Sequence, residues 1–408
     1  MNKQILAAVL AMPLAISSAF AQEADGPTVK VRGFGTGALT WTNTDRAEFG
    51  RPNQAAGAKK DPRTGVDSNL GLQADVAVNG WLSLTGQGVV RKDAEDDFGA
   101  DLTWAFAKAR LNDEVSLRIG RTGLPVFMIS DYRNVGYAST FLRAPNEMYS
   151  QVPFESVDGV DLTWQHGFGD TTVTTQVTYG RAKGKLAYGL RAEGEQLLGL
   201  NVVAEHGPFT LRFGRTDAKV TVTGSTSLAG LLTALRGTGA TYNLPQLATF
   251  ANELEARDKD ASFTSVGLGM DWNNIVLQGE YAKRKTDTYV NDTTSWYAMG
   301  GYRFGKVLPY VMHAKLAIDG HPTNTVPANV AALAPLRAGA ARLPYTGVGQ
   351  GEQSTTSVGV RWDLYRSIAL KAQIDRVQPK VGSGLLLNAQ PGFHRDVTVG
   401  AVAVDFVF

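Results

Sequence analysis

The chain of 408 residues has no cysteine. No disulfide framework holds it, and no thiolate is on hand as a nucleophile or metal ligand. Net charge is nearly absent: 40 Lys and Arg against 38 Asp and Glu leave +2. That balance excludes the basic face of a nucleic-acid binder. After the N-terminal segment, no apolar run reaches the roughly 18 residues a membrane-spanning helix needs. Histidine is scarce, with only His166, His206, His313, His321 and His394. None lies in a nucleophile elbow or at metal-ligand spacing. Membrane-embedded hydrolases need Ser–His or Asp–His arrangements, so the chain reads as a non-enzyme with no cofactor and no metal.

What is present begins with a basic Lys3, an apolar core from Ile5 to Ile16, and Ala19-Phe20-Ala21. This is the pattern of a secretory signal peptide with an A-x-A cleavage site, so residues 1–21 are expected to be removed. No linker or change of composition divides residues 22–408, which read as one repetitive β domain rich in glycine (45 in the whole chain). Period-2 alternation recurs throughout: Phe209, Leu211 and Phe213 alternate with polar partners, as do Val358, Val360 and Trp362. The last strand, Val402 to Phe408, stops on an aromatic. Exported, free of disulfides and ending in a strand, the chain is expected to be an all-β, transmembrane antiparallel β-barrel.

Connections alternate between short and long. Short ones fall at Asn79-Gly80, Asn112-Asp113, 167–170, Gly207-Pro208, Asn273-Asn274, Gly305-Lys306 and 364–367. Long ones cover 43–66, 122–156, 223–261, 317–352 and 378–395. Short periplasmic turns and long outer loops characterise such barrels, and the segments between them number about 16. The strand expected at 197–206 is the least defined at its start, and two short helices are expected near 228–235 and 246–256.

A barrel of that size has an aqueous lumen. Alternation places Arg32, Arg91, Lys108, Arg110, Arg118 and Arg212 on its inner wall, together with His313 and Lys315. A wall of arginine and lysine favours anions. The segment 122–156 carries Leu124, Phe127, Met128, Ile129, Phe141, Met148 and Tyr149, too apolar a set for a loop in water. Long loops of this content are packed and functional. It is expected to fold into the lumen, with Asp131, Arg133, Arg143, Glu147 and Glu155 narrowing the channel.

Gly120-Arg121, the long loop after it, the Val157-Asp158-Gly159-Val160 restart, the signal peptide and Phe408 together resemble the Gram-negative trimeric porins of about 16 strands. The resemblance implies a homotrimer in the outer membrane, in contact with its lipid and lipopolysaccharide, with the third loop as constriction. It also implies that Arg121 is a wall arginine, although alternation points it outward. Phe408 would be part of the terminal signal read by the barrel-assembly machinery. Independently, small outward residues gather on early strands: Gly33, Gly35, Gly37, Gly86, Gly88, Ala105, Ala107 and Ala109. Small residues let backbones approach in a membrane, so this patch is the expected trimer interface. The expected function is passive diffusion of ions and small hydrophilic solutes. A substrate-selective, anion-preferring channel and a loop-mediated adhesin or receptor are the alternatives.

Overall fold

Strands that alternate in hydropathy can bury neither face alone in lipid; they must pair on both edges so that no backbone N–H or C=O meets hydrocarbon unpaired. The computed structural model, which describes residues 27–345 and 350–408, solves this by closure. The expected signal peptide lies outside the described residues. The first strands are β1 (Thr28–Thr42), β2 (Asn69–Ala77), β3 (Leu82–Lys92), β4 (Phe98–Arg110) and β5 (Val115–Gly123). Then come β6 (Ser156–Phe168), β7 (Thr171–Lys185), β8 (Arg191–His206), β9 (Phe209–Thr223), β10 (Lys259–Trp272) and β11 (Ile275–Thr286). The circle is completed by β12 (Asp292–Tyr302), β13 (Val307–Gly320), β14 (Gln353–Tyr365), β15 (Ile368–Pro379) and β16 (Val397–Val407). Each strand pairs antiparallel with its neighbours in sequence, and β16 returns to β1 with Phe34 opposite Val407 and Thr42 opposite Val399. The expectation of a closed barrel of about 16 strands holds.

All seven short turns lie at one end of the strands, as do both ends of the described chain. Two of them show why their residues are there. Asn273 and Asn274 both take left-handed backbone (φ 47 and 68), the geometry of the tightest hairpin turn. Gly207 does likewise at φ 51. The opposite end carries the long loops. The helices expected in 223–261 form as α2 (Thr226–Thr241) and α3 (Pro245–Leu254), after the one-turn α1 (Asn146–Tyr149) in the third loop. A further helix, α4 (Ala334–Arg342), was not expected within 317–352. It packs with α2 and α3 in a small apolar cluster around Leu235, Leu247 and Phe250. β8 starts at Arg191 rather than 197, because register shifts at Gly180/Ala182 and Glu195/Leu198 break the alternation there.

The outer face is apolar: Leu72, Leu102, Ile119, Leu211, Leu268, Val311 and Ile374 stand open on it. Trp81, Trp272 and Trp362 are exposed near the short turns, where the membrane interface favours amphipathic rings. The closing seam is made of rings laid on glycines. A Cβ at Gly33 would lie 2.0 Å from the Phe408 ring, and one at Gly35 2.6 Å from Phe406. At the other end of the seam Trp41 covers Gly400 in the same way. Missing side chains on one strand thus make room for aromatic rings of the next.

One strand reverses the sequence reading. On β13 it is Leu308, Tyr310, Met312, Ala314 and Leu316 that face inward and are buried. His313 points outward to Thr356 Oγ1 (2.8 Å) and packs on Trp296, and Lys315 is also on the outer face. The inner face here meets protein instead of water, so hydropathy no longer distinguishes the two faces.

Gly33→Leu should unseat Phe408 and cost about 1–3 kcal/mol through overpacking. The folded form is expected to lose its heat resistance at a lower temperature, read from heat-modified gel mobility or the β-sheet circular dichroism signal.

Candidate functional site: a lumen divided by the third loop

The third loop, 124–155, enters the barrel and lies against the wall from β9 through β16 to β1. Apolar contacts hold it first. Phe127 packs on Tyr149 and Phe263, with ring centroids 4.5 and 5.3 Å apart, and Phe141 meets Tyr297 edge-on. Leu124, Val126, Ile129 and Met148 complete a cluster with Tyr297, Met299, Tyr310 and Met312 of the wall.

Wall side chains then satisfy the loop's backbone, which would otherwise be buried unpaired. Arg212 Nη1 donates to Ser265 Oγ (2.8 Å) and its Nη2 to the Pro125 carbonyl (2.5 Å). Glu280 accepts from Met128 N (2.8 Å) and Tyr149 Oη (2.5 Å). Lys371 donates to the carbonyls of Gly136 (2.7 Å) and Phe141 (3.0 Å) while paired with Asp405 at 2.8 Å. Arg361 Nη1 holds the carbonyls of Tyr137 (2.6 Å) and Ser139 (2.8 Å).

Three residues expected to line the channel are therefore anchors. Arg143 is 3% exposed. Its guanidinium lies between Asp67 and Asp375, each at 2.7 Å, and over the Phe49 ring at 4.7 Å. Glu147 is 1% exposed and accepts from Gln353 Nε2 (2.7 Å) and Thr355 Oγ1. Burial moves its carboxyl up from the ordinary value against the pull of those two donors. Arg212 is as buried as Arg143. In each case the apolar loop removes the water that a lumen-facing charge would have had.

The opposite side remains open. A polar cavity of about 550 Å³ lies between the loop and the wall from β2 to β8. Eight Arg or Lys and six Asp or Glu line it. Arg91 of β3 and Arg133 of the loop converge on one carboxylate, Glu155, at 2.8 and 3.6 Å. Arg51, from the first loop, stands 3.9 Å from Asp67 at the edge of the same group. Burial pushes the Glu155 carboxyl up, but Arg133 and Arg91 outweigh it and hold it at about 2.

Arg121 also lines this opening, at its margin. Its guanidinium forks onto Asp158 at 2.6 and 2.7 Å. Its backbone keeps the outward phase of Ile119, opposite Ala105 and Asp158, as alternation placed it. Asp131 is open to lumen water yet encircled by protein. That crowding raises its carboxyl, with Asp161 adding to the shift and Arg118 opposing it.

Further along the early strands, Arg118 pairs with Asp161 at 2.9 Å and sits over Phe106. Arg32 pairs with Asp75 at 3.2 Å, an exposed contact of little energy. Lys108 and Arg110 have no acidic partner among the described residues.

No sequence pattern pointed to Arg51, which lies in a loop without periodicity. Trp104 and Phe106 share the inward phase of Lys108 and Arg110 on β4, and the bulge at Thr103 shifts the register only before them, beside Gln87 and Gly88. The small outward residues are brought together as expected by position: Gly86 faces Ala105, Leu84 faces Ala107 and Leu82 faces Ala109. Leu72, Leu102 and Ile119 stand among them, so the patch is contiguous and apolar but not uniformly small.

No protein-family model matches the chain, and no curated protein matches its sequence. Its fold does have counterparts: it is that of the outer-membrane porins and channels. An anion-selective porin from Comamonas acidovorans superposes with a TM-score of 0.54 at 13% identity, over 94% of this chain and 100% of that one. The outer membrane channel DcaP of Acinetobacter baumannii gives 0.56 at 11% over 96% and 100%. OmpT, an outer membrane protein of Vibrio cholerae, gives in its trimer form 0.52 at 14% over 94% and 100%.

Arg143→Ala would leave Asp67 and Asp375 buried without their shared cation, a loss of about 3–5 kcal/mol. We expect a lower melting temperature and a noisier, larger single-channel current as the loop loosens. Glu147→Gln should do neither at pH 7–8. A raised carboxyl pKa favours the folded state below it and is a cost above it, so a neutral amide there should leave the melting temperature unchanged or higher.

Proposed function

We propose that the protein is an outer-membrane channel through which ions and small hydrophilic solutes diffuse, with a preference for anions, and that it acts as a homotrimer. The observation that carries this reading is the asymmetric lumen. The third loop fills one half with apolar contacts and leaves on the other an open, charged path. Cations exceed anions along it, Arg91 and Arg133 converge on Glu155 with Asp101 3.7 Å from Arg91, and Lys108 and Arg110 are uncompensated. In a lumen walled by low-dielectric protein such a surplus attracts anions. An anion-selective porin and a trimeric outer membrane protein among the structural counterparts support the same reading.

The constriction would be formed by Asp131, Arg133 and Glu155 against Arg91 and Arg118, with Arg143, Glu147 and Arg212 fixing the loop that carries them. The contiguous apolar patch on β1 to β4 would be the subunit interface, and the rest of the outer face would contact lipid and lipopolysaccharide. Phe408 would serve as a terminal signal for the barrel-assembly machinery. A substrate-selective channel is favoured by one observation, the inner-wall pair Trp104 and Phe106 (6.3 Å) beneath Arg118. Planar rings beside a guanidinium suit a planar anion.

Purified protein in a planar bilayer should give stepwise conductance, in groups of three, and a salt-gradient reversal potential of anionic sign. Folded barrels that insert silently would sink the proposal. Lys108→Ala with Arg110→Ala should reduce the anion preference and Glu155→Gln should increase it. A depressed carboxyl stays charged until the pH falls to its own pKa. The difference between the wild type and Glu155→Gln should thus persist at pH 4 and close only near pH 2. Identical reversal potentials at neutral pH would remove Glu155 from the selectivity element.

A further inference from the structure

Beside the charged path, and sharing Asn53, Pro153 and Ala192 with its lining, lies a second cavity, of about 120 Å³. Its lining is mostly apolar, with Val126 and Phe154 of the loop facing Leu197, Ala218, Val222 and Phe263 of the wall. An apolar void of roughly 150 Å³ is known to stay dry and accept benzene. This one is of that order, and it is not purely apolar: Arg284 of β11 also lines it.

Arg284 is 9% exposed, and the hydrogen bonds it makes go to backbone carbonyls only. Nε and Nη2 donate to Asn291 O (3.2 and 3.1 Å) and Nη1 to Gln151 O (3.1 Å). A guanidinium carries five N–H groups, so two are left without a partner. The acid next in sequence to Asn291, Asp292, turns its carboxylate to Thr286 N instead (2.8 Å). Of the other deeply buried cations of this lumen, Arg143 and Lys371 each sit against a carboxylate, while Arg212, like Arg284, is held by neutral acceptors. A buried cation is stable when paired, and among the described residues Arg284 has no carboxylate within 4 Å, only the longer-range attraction of Asp292.

We infer that this cavity is a binding site for a small aromatic monocarboxylate, its ring in the apolar chamber and its carboxylate on the free N–H groups of Arg284. The chamber is too small for a long chain. Its apolar lining disfavours inorganic anions, and its one cation disfavours a neutral hydrocarbon. The site goes beyond the diffusion channel proposed above. Its apolar lining distinguishes it from the adjoining charged path, and occupancy can be measured without any current.

The test uses the full refolded chain in detergent micelles and ligand-observed NMR, with benzoate as the probe. Acetate supplies the charge without the ring, and benzyl alcohol the ring without the charge. Benzoate should bind saturably and acetate should not. Ala218→Phe, which fills the chamber without touching Arg284, should abolish benzoate binding. Arg284→Gln should weaken it roughly tenfold, the loss expected for a charge-assisted hydrogen bond, while leaving benzyl alcohol unchanged. If Arg284→Gln fails to refold, Arg284→Lys keeps the charge and should retain binding. Equal signals from acetate and benzoate, no saturation, or full benzoate binding by Ala218→Phe would each overturn the assignment.

Discussion

Everything in this protein depends on backbone pairing carried around a full circle. In hydrocarbon an unpaired N–H or C=O costs several kcal/mol, so the sheet has no stable open form, and β16 must find β1. That contact spans almost the whole length of the chain, which makes it the slowest kind to form. The seam is built to be unambiguous. Phe408 and Phe406 fill the space above Gly33 and Gly35, and Trp41 fills that above Gly400. A slip of one residue would turn each ring to the lumen and each glycine to a gap.

Closure creates an interior wider than side chains alone can fill, and the third loop resolves that. It brings its own apolar core into the barrel, so half the lumen becomes a protein interior. Charges on that half are then buried and need polar partners, which explains why Arg143 and Lys371 each meet a carboxylate, why Arg212 bonds the Pro125 carbonyl of the loop and why Glu280 accepts from the loop's Met128 and Tyr149. The other half stays wet, and its charges need no such pairing. Lys108 and Arg110 can remain single there because water solvates them. The same residue types thus serve as fasteners on one side and as an electrostatic surface on the other.

The division also explains where reading the chain alone succeeded. Turn residues act locally, so Asn273-Asn274 and Gly207 marked hairpins wherever they occurred. Alternation reports the environment of both faces, so it placed Arg32, Lys108 and Arg118 correctly on strands with lipid outside and water inside. It failed on β13, where lipid lies on one side and an apolar loop on the other and His313 was assigned to the wrong face. At Arg121 it gave the outward phase of Ile119, and the unbroken ladders to Ala105 and Asp158 keep that phase. It missed α4, a short helix without a clear apolar period.

The sequence by itself determined the class of fold, the approximate strand number, the positions of the short turns and the inward destiny of the segment after Gly123. These follow from period-2 hydropathy and turn chemistry, which neighbouring residues settle among themselves. Only the tertiary structure decided which loop and wall charges are fasteners and which face the open path. Arg133 and Arg143 are ten positions apart in one loop, yet one shares Glu155 at the cavity and the other is sealed between Asp67 and Asp375. The difference lies in access to water, and that is set by residues hundreds of positions away.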